Sequence, residues 1–153
     1  MKRVVFVCHG NICRSPMLER VARREGAGMD VEFTSAGVSA EELGNPIDSR
    51  AVRVLRAAGY ETDDHRAHQI SAREIRDADL VIAAETHHLD RMRRLVPDAT
   101  NLRLFSEFDP QASPGDPLPD PWYGGSEGFV TTLAAIERAM PNILAEVDDA
   151  STR

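Results

Sequence analysis

The sequence predicts a three-layer α/β/α fold on a central four-stranded parallel sheet. Three observations carry this reading. Short apolar, β-rich runs alternate with helical patterns along the chain, an order that folds as strand–helix–strand units. The first run, Val4-Val5-Phe6-Val7, is continuously apolar and largely β-branched, as a strand buried on both faces must be. It stops at His9-Gly10-Asn11, and a helix begins within a few residues, so a tight loop joins the first strand to the first helix. Parallel sheets bind ligands at the carboxyl ends of their strands, and a helix N-terminus attracts anions, so this loop is the expected site.

The elements follow in order. Ser15 reads as the N-cap of the first helix, with Pro16 suited to its first position, and Leu18, Val21 and Ala22 keep helical spacing up to Gly26. Val31-Glu32-Phe33 is a second strand, ending at Ser35-Ala36-Gly37. Asp48 caps a helix whose apolar positions are Ala51, Val52, Leu55 and Ala58, closed by Gly59. Residues 79–84 form a third strand, 86–95 a third helix and 102–105 a short fourth strand. From Ser126 onward, Phe129, Leu133, Ile136, Met140 and Leu144 mark a last helix, which Pro141 is expected to kink or split. Between Asp109 and Pro121 stand five of the nine prolines without periodicity, and so long a loop in a compact domain is functional or disordered.

Composition narrows the function. The 153 residues suit one domain, 1–153, and 42% hydrophobic with 28% charged residues is the balance of a globular protein. A net charge of -7 repels polyanions, so no nucleic-acid partner is expected; Arg91, Arg93 and Arg94 read as a solvated helix face. The longest apolar runs are too short to cross a bilayer and no secretory signal is visible, so a cytoplasmic protein without a membrane partner is expected. The only cysteines, Cys8 and Cys13, are too few for a disulfide framework. His87 and His88 are adjacent and cannot share one helix face, and no metal site or metal cofactor is expected. No other cofactor is expected, and the protein is expected to be a monomer or at most a weak dimer.

The loop Cys8-His9-Gly10-Asn11-Ile12-Cys13-Arg14-Ser15 carries chemistry. Helix N-terminal amides and a nearby guanidinium stabilise a thiolate, the nucleophilic form of cysteine. The same amides can hold phosphate oxygens, and the planar fork of Arg14 can grip two of them. Gly10 lets the backbone approach a ligand, and Asn11 tolerates left-handed geometry. A proton donor is also required, and three aspartates in the proline-rich loop offer one: Asp109, Asp116 and Asp120, each followed by proline. Spacing does not separate them. The aromatic neighbours Trp122 and Tyr123, which could wall an aryl pocket, favour Asp120; Asp109 and Asp116 then read as solvated turn residues.

The stretch from Val7 to Pro16 resembles the signature of the low-molecular-weight protein tyrosine phosphatases. The likeness continues through Thr34-Ser35-Ala36-Gly37, Asp48-Ser49-Arg50-Ala51 and Asp120-Pro121-Trp122-Tyr123-Gly124-Gly125. The resemblance implies hydrolysis of phosphotyrosine in protein substrates through a phosphocysteine on Cys8. Arg14 would clamp the phosphate, and Asp120 would act as general acid and base. It implies that Asn11, Ser15, Ser35 and His65 shape the loop, with Ser15 helping to stabilise the Cys8 thiolate. Of His65 and His68, three apart, the resemblance uses only His65. Cys13 either fills space beneath the loop or traps oxidised Cys8 as a reversible disulfide, and relatives with both cysteines favour the second.

Two positions depart from the pattern. Glu41 stands where many relatives carry an aromatic pocket wall, giving either an acidic rim or a solvated loop charge. His9 replaces a small or apolar residue and could line the pocket. Rival activities on the same fold are a protein-arginine phosphatase, in which threonine tends to replace Ile12, and a reductase of arsenate drawing on a small thiol. The apolar Ile12 suits a tyrosine ring better. A phosphopeptide-binding module without catalysis is disfavoured by the joint presence of Cys8, Arg14 and Asp120.

Overall fold

The computed structural model describes residues 1–122 and 124–152, and of 149–152 the backbone alone. Four strands form one parallel sheet: β1 (Lys2–Cys8), β2 (Val31–Gly37), β3 (Leu80–Ala83) and β4 (Leu102–Leu104), in the order β2-β1-β3-β4. The helices are α1 (Arg14–Glu25), α2 (Ser49–Ala57), α3 (Ala72–Asp77), α4 (Thr86–Leu95) and α5 (Glu127–Thr152). The expected α/β/α architecture is therefore present.

The register explains the apolar run of the first strand. β1 lies beside β2 from Lys2 opposite Val31 to Cys8 opposite Gly37, and beside β3 from Val4 opposite Leu80 to Val7 opposite Ala83. Successive side chains point to opposite faces, so both faces of β1 must be apolar. Val4, Phe6 and Cys8 join Leu18, Leu55 and Ile136 from α1, α2 and α5. Val5 and Val7 join Ile75 and Met92 from α3 and α4 on the other face. The chain departs from β1 toward β2 on one side and returns as β3 on the other. The crossovers diverge at the carboxyl end of β1, where such sheets open a crevice.

Four expectations need correction. Helix α1 starts at Arg14 with Cys13 at the N-cap position and no side-chain cap, so Ser15 is not the cap. Its hydroxyl is engaged in the loop, as described below. Pro141 does not divide α5: it removes one backbone hydrogen bond, and the burial of Ala139, Met140 and Ile143 carries the helix through. Asp109 is not solvated but buried, holding Arg138 with two hydrogen bonds of 2.7 and 2.8 Å. Helix α3 was not anticipated, although Ser71 and Glu74 form its capping box, a pattern readable in Ser71-Ala72-Arg73-Glu74. Asp48 does cap α2, accepting from the Arg50 amide. No helix among the described residues is long and apolar enough to cross a membrane.

Candidate active site

The loop after β1 is held in shape by one asparagine. Asn11 adopts φ of 61°, the left-handed region that asparagine enters more readily than most residues. Its side-chain amide donates to Ser15 Oγ at 2.8 Å and Ser35 Oγ at 3.0 Å, and its Oδ1 accepts from the His68 amide at 3.1 Å. Ser35 Oγ in turn donates a hydrogen bond to buried Glu19 at 3.1 Å. His65 Nε2 lies 2.7 Å from the Asn11 carbonyl. Burial lowers the pKa of His65, against the opposing pull of that carbonyl, so a neutral ring donates from Nε2. Every polar atom of the Asn11 side chain is thus used, and the left-handed turn is over-determined.

Ser15 Oγ stands 3.1 Å from Cys8 Sγ. As a thiol, Cys8 donates to that oxygen alongside Asn11, and the Ser15 hydroxyl is the donor that a Cys8 thiolate would meet. This is why the Ser15 hydroxyl is not spent on capping α1. From the other side, β2 presses on the loop: the amides of Val38 and Ser39 donate to the carbonyls of Cys8 and His9, each at 3.0 Å. Gly37 makes that approach possible, since a Cβ there would lie 2.7 Å from the His9 carbonyl oxygen.

Above the loop opens a cavity of about 380 Å³. Cys8, Arg14 and Asp120 all line it, as do His9, Gly10, Ile12, Cys13, Glu41 and Trp122. Asn11, Ser15, Ser35 and His65 lie behind the lining, as the framework just described. Tyr123 lies outside the described residues. Arg14 is 4% exposed; its Nη1 donates to Glu85 and to the Leu118 carbonyl, both at 2.9 Å, and its Nη2 lies 3.7 Å from Asp120 Oδ2. Asp120 stays exposed and accepts from the Trp122 amide at 3.0 Å. At the mouth, His9 and Glu41 pair at 3.5 Å. Asp116, by contrast, is exposed and tied to the Ser113 amide of its own turn.

The two cysteines are both free thiols but differ in surroundings. Burial, then the charge of Asp48, pushes the Cys13 thiol far up, which keeps it protonated. Among the described residues no cluster of three or more metal-ligating side chains exists, and the His65 and His68 rings are engaged with Asn11 and Glu74.

Sequence reasoning missed Glu85, Glu42, His87 and His88 in the cavity wall, and Glu19 beneath the loop. Glu85 follows β3 at the crevice, a position legible from the topology, yet its pairing with Arg14 needed the fold. Burial disfavours its charge, but the hydrogen bond and charge of Arg14 win and hold the carboxyl below the usual range. Ser71-to-Glu74 apart, the others carry no local signal.

Residues 3–152 match the family model described as low molecular weight phosphotyrosine protein phosphatase. The chain is 44% identical to the low molecular weight protein-tyrosine-phosphatase of Streptomyces coelicolor over 153 residues, covering 95% of this chain and 93% of that protein. It is 40% identical to low molecular weight protein-tyrosine phosphatase A of Mycobacterium tuberculosis over 155 residues, with 98% and 94% covered. The crystal structure of YfkJ from Bacillus subtilis superposes with a TM-score of 0.87 at 28% identity, covering 97% of this chain and 96% of that one. That of the tyrosine phosphatase Wzb from Escherichia coli K30, in complex with sulphate, gives 0.85 at 29%, with 95% and 98% covered. With the sheet, the loop and these likenesses in agreement, the chain belongs to the low molecular weight phosphotyrosine protein phosphatases and is a hydrolase.

Proposed function

We propose that the protein hydrolyses phosphotyrosine in protein substrates through a phosphocysteine on Cys8, with Arg14 as phosphate clamp and Asp120 as general acid and base. The observation that carries the reading is the convergence of these three side chains on one cavity, with the Arg14 and Asp120 groups 3.7 Å apart. Its supports are the hydroxyl of Ser15 beside the sulfur, the N-terminus of α1 at the loop, and sulphate bound in the related Wzb structure.

The phosphoryl group sits in the loop, its oxygens on backbone amides and the Arg14 fork. Cys8 thiolate attacks phosphorus, the P–S bond forms and the P–O bond to the ring breaks. Protonated Asp120 gives its proton to the departing tyrosyl oxygen. Water then attacks the phosphocysteine, Asp120 takes a proton from it, and the thiolate departs as phosphate is released. Cys13, held as a thiol, does not compete for the nucleophile's role. Ile12 lines the cavity, 8% exposed, and suits an aromatic ring. Glu41 and His9 stand where groups flanking the phosphotyrosine would pass. The two free thiols suit a reducing, cytoplasmic setting.

The test is an assay of phosphotyrosine, phosphoserine and phosphoarginine peptides and arsenate side by side, with Cys8→Ser as control. Phosphotyrosine is hydrolysed fastest and Cys8→Ser is inert. A Cys8→Ser protein of full rate, or preference for phosphoarginine or arsenate, rejects the reading. Asp120→Ala lowers kcat about 10²–10⁴-fold on phosphotyrosine.

A further inference from the structure

We propose that Arg50 is a positioning residue for the general acid, tying the segment that bears Asp120 to the phosphate loop. The inference rests on Asp120 being that acid.

The tie is a chain of short contacts. The Asp48 amide donates to the Ile12 carbonyl at 2.9 Å, which fixes the start of α2 to the phosphate loop. The Asp48 carboxylate receives Arg50 three times: the backbone amide at 2.9 Å, Nε at 3.1 Å and Nη2 at 3.1 Å. The remaining arm, Nη1, donates to the Trp122 carbonyl at 3.2 Å. The Trp122 amide in turn donates to Asp120 Oδ1 at 3.0 Å. The guanidinium also lies over two aromatic rings, 5.2 Å from the Trp122 centroid and 4.8 Å from that of Phe129 in the first turn of α5.

This arrangement does more than pack the surface. The acid stands at an exposed place in a loop rich in proline, 12 residues of which, 109–120, hold no helix or strand. Such a loop does not locate a carboxylate by itself, and proton transfer loses efficiency steeply when donor and acceptor are misplaced by an ångström. Arg50 presents a planar group whose edges are both occupied, one by Asp48 and one by Trp122, while its face is covered by rings. Lysine offers a single point charge and cannot span both edges. Because the Asp48 end is fixed to Ile12, the acid is referenced to the loop that holds the phosphorus. Arg50 is not itself among the cavity-lining residues and reaches the site only through Trp122, so it acts through Trp122 and Asp120.

The experiment measures kcat/KM for phenyl phosphate, whose leaving group needs a proton, and p-nitrophenyl phosphate, whose leaving group needs it far less. The proteins are wild type, Arg50→Ala, Arg50→Lys, Asp120→Ala and the Arg50→Ala/Asp120→Ala double variant. Inhibition by inorganic phosphate is read for each. Arg50→Ala is expected to lose about 10–100-fold on phenyl phosphate and only a few-fold on the nitrophenyl ester, with Arg50→Lys between it and wild type. Inhibition by phosphate stays within about two-fold, and in the Asp120→Ala background Arg50→Ala costs less than about two-fold more. An equal loss on both esters, a matching loss of phosphate inhibition, or an additive loss in the double variant overturns the proposal and leaves Asp120 as the acid. If Asp120→Ala itself shows no leaving-group dependence, the assignment of the acid falls, and this inference with it. Should Arg50→Ala not fold, Arg50→Lys gives the same comparison.

Discussion

Arg14 and Glu85 form a hydrogen-bonded ion pair of 2.9 Å in which the arginine is 4% and the carboxylate 31% exposed. The residue expected to grip phosphate is therefore oriented before any anion arrives, and the carboxylate that orients it also neutralises it. Glu85→Ala leaves a buried guanidinium with the Leu118 carbonyl and the distant Asp120. Breaking a buried pair typically costs roughly 3–5 kcal/mol, and the exposure of Glu85 reduces this to about 2 kcal/mol. Vanadate or phosphate then raises the melting temperature of the variant more than that of wild type, since the anion replaces the missing charge. Equal shifts in thermal unfolding would show that Arg14 does not depend on Glu85.

His88 is 1% exposed, and its Nδ1 has no hydrogen-bond partner among the described residues. Burial, then the positive charge of Arg14, pushes its pKa down to about 4, with His87 and His9 acting in the same sense and Glu85 against. A histidine with a depressed folded pKa stays neutral in the fold while the unfolded chain takes up a proton. Its contribution is complete above about pH 6.5 and is lost as pH falls toward 4. The loss amounts to at most about 3 kcal/mol. Urea unfolding at pH 7 and pH 5 is expected to show a smaller acid loss for His88→Leu than for wild type. The opposite order refutes the assignment.

Gly37 is expected to resist even alanine. A Cβ would meet three backbone atoms: the His9 carbonyl oxygen at 2.7 Å, the Asn11 nitrogen at 3.1 Å and the Gly10 carbonyl carbon at 3.1 Å. None is the end of a flexible side chain, so the phosphate loop itself must shift. Gly37→Ala should cost about 1–3 kcal/mol in denaturant unfolding and lower kcat/KM at least about ten-fold. A variant with wild-type kinetics would mean that the loop shape tolerates the displacement.

Glu41 projects at the cavity mouth with its side chain 74% exposed, beside His9. An exposed rim charge acts through steering and is screened by salt. Phosphotyrosine peptides with arginine beside the phosphotyrosine should be favoured a few-fold over those with glutamate. Glu41→Lys should reverse that order at low ionic strength, and about 1 M salt should flatten it. Peptide kcat/KM values with no response to the substitution would return Glu41 to a solvated loop charge.

How much of this was legible before the fold is clearest residue by residue. The strand at Val4 to Val7 was readable because a central parallel strand leaves an uninterrupted apolar run. The α2 start was readable because Asp48 caps it locally. The Cys8-to-Arg14 spacing was readable because the proposed nucleophile and clamp share one short loop. Ser15 was misread as a cap because its local chemistry is identical for capping a helix and for facing a sulfur. Only the position of Asn11 and Cys8 decides between them. Asp109 and Asp120 are each an aspartate before a proline, and the difference between a buried ion pair and a cavity wall came from Arg138, 29 residues away in sequence.

From its order of residues alone, the chain specifies the layers, the site loop and the candidate residue types in it, since periodicity, capping and loop chemistry act over a few residues. Tertiary structure decides the partners: Glu85 for Arg14, Ser35 and His65 for Asn11, Arg50 between Asp48 and Trp122. Those pairs join residues up to 72 positions apart, and whether two such groups meet depends on how the whole sheet stacks its helices.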